Sequence, residues 1–538
     1  MSFPEPIQAM LRPEMYPYRP ATVDFVQTHI SYVFLAGDEV YKVKKPVHFS
    51  FVDFSTLERR RHFCHEEVRL NRRLAPHVYI GVVAICRAGV TYRLGSEGDD
   101  AAVEYAVRMR RLPADRTLDQ LLDRGEVTLA MIDQLARRLA DFHRRADAGP
   151  HVTANGDVAA IAAVLEDNFA GMRPFHGVTI AAAEDDAIQE FSRDFLRRQG
   201  PLFRRRQAEH RIRDCHGDLH SEHICFDGEP VIFDCIEFNP KFRYCDTASE
   251  IAFLAMDLDY HGRAELARHL VSFYAAHADD PELPGLVPFY QCHRAYVRGK
   301  VDSLKSAEEE VEPAERERAR ASAQRHFALA YRYTWAYGPC LVMIAGLSGT
   351  GKSAVAGVLA ARTGFVHINS DVVRKRLAGL AAESRVIAAY ESGLYSPEYS
   401  RRTYAAMLAE AAELLGAGRG VVFDATFQRR TDRDTVRALA HKHAVPSLLV
   451  ECHCREDEVR RRLEARQGRG GASDADWNVY LEQRRRYEAI GSDERDDTLL
   501  IDTTVPLPEV AASVERALRP RTEPPPAAMI NPDPKFSR

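Results

Sequence analysis

Between Cys340 and Ser353 the chain reads Cys340-Leu-Val-Met-Ile-Ala-Gly346-Leu-Ser348-Gly349-Thr350-Gly351-Lys352-Ser353. An apolar run suited to a buried strand breaks into small and glycine-rich positions, then opens a helix. In this strand–loop–helix setting, Gly-x-x-x-x-Gly-Lys-Ser holds a nucleotide phosphate. Glycines let the backbone wrap an anion, and the N–H groups at a helix N-terminus point at it. Lys352 would reach the outer phosphates and the Ser353 hydroxyl would ligate Mg²⁺. Gly346, Ser348, Gly349, Thr350 and Gly351 complete the expected ATP cradle.

A second constellation lies upstream in Asp214-Cys-His216-Gly-Asp218-Leu-His220-Ser-Glu-His223. Asp218 followed five residues later by the polar His223 has the spacing of a kinase catalytic loop. A loop-borne aspartate can accept the proton of an attacking hydroxyl, and the later residue can reach a metal. Asp234, ending the run Val231-Ile-Phe-Asp234, stands where a second metal ligand is expected. Lys42 or Lys44, on one strand face, and Glu67 or Glu66, on a helix, would form the ion pair that holds phosphate. A rival reading uses His216, Asp218, His220 and His223 as the transition-metal site of a hydrolase.

These residues need elements to position them. Ser31 to Lys44 reads as a hairpin turning at Ala36-Gly37-Asp38. Thr56 to Leu74 reads as an amphipathic helix carrying Glu66 and Glu67. The strand from Val103 to Met109 runs into Arg110-Arg-Leu-Pro113, a connector to a second, helical lobe. There Ile132, Leu135, Leu139 and Phe142 fall on one helix face. The charged stretch from Ala307 predicts an exposed helix bridging two domains.

The chain has 538 residues, 45% hydrophobic and 28% charged, with a formal net charge of −5. These values suit a multi-domain globular protein and argue against a general nucleic-acid coat. No signal pattern or membrane-length apolar run is present, so a cytoplasmic location and no membrane partner are expected. Ten cysteines in so long a chain make no disulfide framework.

The first half resembles the aminoglycoside phosphotransferase-like branch of the protein-kinase-like fold. Cys215-His-Gly-Asp-Leu-His220, Val231-Ile-Phe-Asp234 and the helix Leu135 to His143 carry the resemblance, which spans about residues 20 to 305. It also resembles a bacterial subgroup fused to a P-loop kinase, through Thr28 to Asp38, Tyr41 to Pro46, Asp53 to Arg60 and Phe233 to Asn239. The resemblance implies Asp218 as base, Asp234 as metal ligand and Met109 to Leu112 as the hinge facing adenine. In two departures, His223 replaces the family's metal-binding asparagine and Cys235-Ile236 replaces its Phe-Gly. Hard oxygen ligands suit Mg²⁺ better than an imidazole does.

In the second half, Phe365 to Ser370-Asp371 is an apolar run ending in an aspartate. Asp371 is expected to orient or deprotonate an acceptor hydroxyl; the alternative is a helix N-cap. Gly420-Val-Val-Phe-Asp424 reads as a buried strand whose acid holds the Mg²⁺ shell. Arg462, Arg466 and Arg469 lie in a glycine-containing stretch expected to form a lid, with Arg466 on the transferring phosphate. Residues 340 to 518 resemble the P-loop kinase group that includes gluconate-, shikimate- and polynucleotide-kinase-like proteins, within the wider AAA-like P-loop class.

The sequence therefore predicts an α+β protein-kinase-like domain of two lobes over residues 1–306 and a charged helical linker over 307–337. An α/β P-loop domain with a parallel sheet would follow over 338–518, then a disordered tail over 519–538. The expected activity is transfer of the ATP γ-phosphate to a hydroxyl of a small-molecule acceptor, with Mg²⁺. Polynucleotide 5′-kinase activity of the C-terminal domain and a non-catalytic nucleotide switch are the alternatives. Nucleic acid is a partner only under the first of these.

Overall fold

The computed structural model describes residues 3–49, 51–381, 384, 393–466 and 475–521. They separate into two compact units, one reaching Leu329 and the other starting at Ala330. The division falls inside the helix Pro313–Tyr333. That helix is not simply solvated. Its charged residues face outward, but Ala319, Ala323 and Phe327 are buried, with the Phe327 ring 5.3 Å from that of Tyr296.

The first unit opens with a six-stranded antiparallel sheet. Its spatial order is Val23–Gln27, Ser31–Ala36, Glu39–Lys44, Ala102–Arg110, Tyr79–Ala88 and Thr91–Gly95. Gly37, at φ +58°, makes the hairpin turn before the lysine strand. The alternation of that strand buries Val43 between its two lysines on one sheet face while Lys42 and Lys44 share the other. The helix Leu57–Asn71 is capped by Thr56, whose hydroxyl accepts the Arg59 N–H. It buries Cys64 and Val68 against Ala84, Cys86 and Val107 of the sheet, which aims Glu67 at the lysine strand.

The rest of the first unit is largely helical, including Leu129–Arg145, Ala182–Ala208, Thr247–Tyr260, Ala264–His277 and Leu283–Ala307. Ile132, Leu135, Leu139 and Phe142 are buried along the face that their spacing predicts. Two short antiparallel ribbons carry the polar loops. Ile224–Asp227 pairs with Glu229–Ile232, and Ile212–Asp214 pairs with Tyr244–Asp246. The expected strand through Asp234 stops at Ile232, because Asp234 sits at φ +62°, outside the extended region.

The second unit is built on a five-stranded parallel sheet ordered Val366–Asn369, Val421–Asp424, Leu341–Ala345, Ser447–His453 and Thr498–Asp502. The central strand Leu341–Ala345 is buried at every position, as a strand covered on both faces must be. Helices join the strands, beginning with Lys352–Thr363. Arg519, assigned from sequence to a disordered tail, instead lays its guanidinium 4.4 Å from the Trp335 ring. Residues 522–538 lie outside the described residues. Among the described residues, no helix is long and apolar enough to cross a membrane.

Candidate functional site

In the first unit the ambiguity between the paired lysines and glutamates is resolved by burial. Glu67 is fully buried and meets both lysines: Lys42 Nζ at 3.0 Å from Oε1 and Lys44 Nζ at 2.7 Å from Oε2. Glu66 turns outward to Arg69, 2.7 Å away. Lys44 is itself enclosed between Glu67 and Glu237, so it has no path to a ligand. Lys42 continues to the Asp234 carboxylate. Burial disfavours its charge, but Asp234, Glu67 and Glu237 outweigh that and hold the ammonium well above its ordinary range.

The loop bearing Asp218 is fixed from below. The carboxylate of the buried Glu250 accepts the N–H of His216 at 2.7 Å and of Gly217 at 3.1 Å. Gly217 stands at φ +90°, and a Cβ there would lie 3.0 Å from the Phe242 carbonyl. His216 Nε2 is 2.8 Å from the Phe233 carbonyl, and its Nδ1 accepts the Asp218 N–H at 3.3 Å. Both ring nitrogens are thus engaged, so the rival four-ligand metal site does not assemble around His216. Asp218, His220 and His223 do converge.

Asp218 and Asp234 are brought together around His223. Its Nδ1 lies 3.6 Å from Asp218 Oδ2 and its Nε2 lies 3.6 Å from Asp234 Oδ2. Burial alone would raise the Asp218 carboxyl, but His220, His223 and Arg298 hold it well below the ordinary carboxylate range. Asp234 is likewise depressed against its burial, chiefly by Lys42 and His223. Burial, then the neighbouring His220, lowers His223 and keeps its ring neutral.

Residues with no motif of their own set the Asp234 segment. The Asp234 N–H donates to the Tyr79 hydroxyl at 3.1 Å, and the Cys235 N–H to Asn71 Oδ1 at 2.8 Å. The expected hinge runs from Met109 to Leu112. Met109 and Leu112 share an apolar cluster with Val231 and Phe233. The N–H groups of Arg110 and Arg111 donate to the Val78 and Asp38 carbonyls, each at 2.8 Å.

In the second unit the glycine loop has the backbone its sequence demands. Gly346, Gly349 and Gly351 stand at φ +129°, +82° and +88°. At Gly346 a Cβ would come within 2.4 Å of the Cys452 carbonyl. Lys352 folds back to donate to the Leu347 carbonyl at 2.8 Å. The parallel register sets Ile344 and Asn369 on either side of Asp424. Asp424 is 2% exposed. Burial works against its charge, but His367, Lys352 and Ser353 outweigh it and lower the carboxyl. The Ser353 hydroxyl and the Asp424 carboxylate are hard oxygen donors, a set that fits Mg²⁺.

Asp371 stands in the first turn of the helix Ser370–Leu377, but the cap is Asn369. Asn369 Oδ1 accepts the Asp371 and Val372 N–H groups, at 2.9 and 3.0 Å, while its Nδ2 donates to Asp424. One asparagine therefore ties the two acids to one strand end. The lid arginines are less regular. Arg462 is held by Glu458 at 2.7 Å and by the Thr503 carbonyl at 2.7 Å, with its Nη1 3.2 Å from the Cβ position of Gly351 in the glycine loop. The side chain of Arg466, and Arg469 entirely, lie outside the described residues. Gln483, which no motif marks, accepts the Ser348 N–H at 2.9 Å.

The chain is 32% identical over 477 residues to the uncharacterized protein Rv2004c of Mycobacterium tuberculosis, covering 88% of this chain and 92% of that one. The chain belongs to the family of that protein. The uncharacterized protein Mb2027c of Mycobacterium bovis is related to it at the same identity and coverage. Residues 341–490 match the family model described as AAA domain, which covers the glycine loop, Asp371 and Asp424. Among solved structures, a gluconokinase from Sinorhizobium meliloti 1021 is 21% identical, covers 35% of this chain and 94% of its own, and has a TM-score of 0.26. The APS kinase of Mycobacterium tuberculosis is 18% identical, with coverages of 34% and 98% and a TM-score of 0.25.

The family's two-unit chain thus holds two polar centres of different construction. In the P-loop unit, the Lys352 ammonium and the Ser353 hydroxyl stand beside the buried Asp424 at the glycine loop. In the first unit, a lysine bridges two carboxylates opposite a loop aspartate.

Proposed function

We propose that this chain carries two ATP-dependent phosphotransferase modules, each moving the γ-phosphate to a hydroxyl of a small-molecule acceptor. The observation that carries the proposal is the convergence of Lys352, Ser353 and the buried Asp424 at a glycine loop of left-handed backbone. In this reading the loop N–H groups and Lys352 hold the phosphates, and Asp371, tied through Asn369 to Asp424, orients the acceptor hydroxyl. Mg²⁺ held by Ser353 and Asp424 would supply charge neutralisation on the phosphates.

The first unit is proposed as an aminoglycoside phosphotransferase-like module with a protein-kinase-like arrangement of lobes. Lys42, steadied by Glu67, would hold phosphate oxygens, and Asp234 and His223 would hold a metal. Asp218 would accept the acceptor's proton. Its lowered carboxyl keeps it ionised at neutral pH, so it is available as an acceptor of hydrogen bonds and protons. Met109 and Leu112, beside Val231 and Phe233, would line the adenine side. Catalysis in both units would rest on positioning and preorganised charge.

The test is an ATP-consumption screen over a metabolite library, run on the wild type, Asp218→Ala and Lys352→Ala. An acceptor whose turnover is lost in one variant and kept in the other assigns that acceptor to a unit. Turnover unchanged in both variants would overturn the proposal.

A further inference from the structure

His223 and Asp234 face each other as two bases. Nδ1 of His223 lies 2.9 Å from the backbone carbonyl of Asp218. A carbonyl only accepts, so Nδ1 carries the proton of the neutral ring and Nε2 keeps its lone pair. That lone pair faces Asp234 Oδ2 at 3.6 Å, beyond hydrogen-bond range. The other oxygen of Asp234, Oδ1, is held by Lys42. A cation ligated by both facing atoms, at about 2.1 Å from each, would fit between them. The Asp234 side chain is 37% exposed, so an ion can reach it from solvent.

A histidine whose second nitrogen is pinned on a backbone carbonyl is oriented as metal-ligating histidines are. The donors also differ in kind. Mg²⁺ takes oxygen ligands in a strict octahedron and gives up water reluctantly. A neutral imidazole nitrogen suits first-row transition ions instead. The geometry points to a site in the first unit, formed by His223 Nε2 and Asp234 Oδ2, that selects a divalent transition ion such as Mn²⁺ over Mg²⁺. This deepens the phosphotransferase reading of that unit and rests on it only for the metal's role, not for its binding.

Asp218 and His220 stay outside the ligand pair. Asp218 Oδ2 is 3.6 Å from His220 Nε2 and 3.6 Å from His223 Nδ1. A metal shared by those three would need His223 Nδ1, which the Asp218 carbonyl already engages. Asp218 is therefore left for proton transfer, and the metal chemistry is confined to the opposite edge of the His223 ring.

The test uses Mn²⁺ added to the full-length protein without nucleotide, read by pulsed electron paramagnetic resonance. The wild type is expected to show ¹⁴N coupling from one directly bound imidazole, retained under a tenfold excess of Mg²⁺. His223→Asn is expected to lose the coupling and to let Mg²⁺ compete at least tenfold better. His220→Asn and His367→Asn, the latter altering the histidine 3.3 Å from Asp424, are expected to keep it. An all-oxygen Mn²⁺ spectrum in the wild type would overturn the inference, as would nitrogen coupling that survives His223→Asn or displacement by equimolar Mg²⁺. An all-oxygen wild-type spectrum overturns the inference even if a variant misfolds. Absence of ATP turnover with the coupling intact would count against the phosphotransferase reading and leave the metal site standing.

Discussion

Lys42 and Lys44, two residues apart on one strand face, share a single carboxylate, Glu67, and part company beyond it. Lys42 goes on to the Asp234 carboxylate and Lys44 to the buried Glu237. One lysine therefore opens on the site and the other closes the core beneath it. Lys42→Met is expected to cut turnover by the first unit at least about a hundredfold with a small change in thermal midpoint. Lys44→Met is expected to cost roughly 3–5 kcal/mol of stability, because it removes the cation that the buried Glu237 pairs with and leaves Glu67 only Lys42. Parallel thermal melts and rate measurements check this; the reverse assignment of effects would refute it.

Asp424 combines burial with a lowered carboxyl, which means that its partners outweigh the cost of desolvating its charge. Asp424→Asn keeps the shape and removes the charge. Turnover by the P-loop unit is expected to fall at least about a hundredfold, with nucleotide affinity changed less. Lys352→Ala is expected to lose both. Equal loss of affinity in the two variants would place Asp424 in ground-state binding instead.

Gly346 lies at φ +129° with its missing Cβ 2.4 Å from the Cys452 carbonyl. Gly346→Ala is expected to cost the second unit at least about 1–3 kcal/mol through strained backbone and a clash that neither strand can relieve. Gly357, in the helix that follows, has nothing within 4 Å of its Cβ position, and Gly357→Ala is expected to stabilise by about 0.5–1 kcal/mol. Denaturant titrations of the two variants check both signs.

His143 and His293 in the first unit are pushed down from 6.5 to about 3, first by burial, then by Arg73 and Arg213 for His143 and by Arg294 for His293. The folded values lie below the unfolded ones. The stability these rings supply is therefore complete above pH 6.5 and is lost as pH falls from 6.5 toward 3. His216 is lowered in the same way, while burial raises Glu104, Glu237 and Glu250, which oppose the trend as pH falls. The share of one ring is therefore read by comparing variants: the thermal midpoint of His293→Gln is expected to fall less between about pH 6.5 and 5 than that of the wild type, and an equal fall would contradict the assignment.

The parts of both sites that come from contiguous residues were readable without coordinates. The glycine loop, Asp218 with His223, and the strand end at Asp424 are local patterns whose spacing reflects a turn or a strand. The contacts that decide between alternatives are not local. Glu237 reaches Lys44 across 193 positions, and Asn71 reaches Cys235 across 164. Nothing in the spacing of those residues marks them. Gln483 on the Ser348 N–H and Asn369 in place of Asp371 as cap were missed for related reasons. The first is a long-range contact, and the second requires knowing where the strand ends to within one residue. The buried face of Pro313–Tyr333 was hidden because its few apolar residues are diluted by charge.

The central claim is that one chain handles nucleotide phosphate at two places. Calorimetric titration of the full-length protein with a non-hydrolysable ATP analogue, in the presence of Mg²⁺ and Mn²⁺, tests it most directly. Two molecules are expected to bind per chain in the wild type and one in Lys352→Ala. A single bound molecule in the wild type, lost completely in Lys352→Ala, would contradict it.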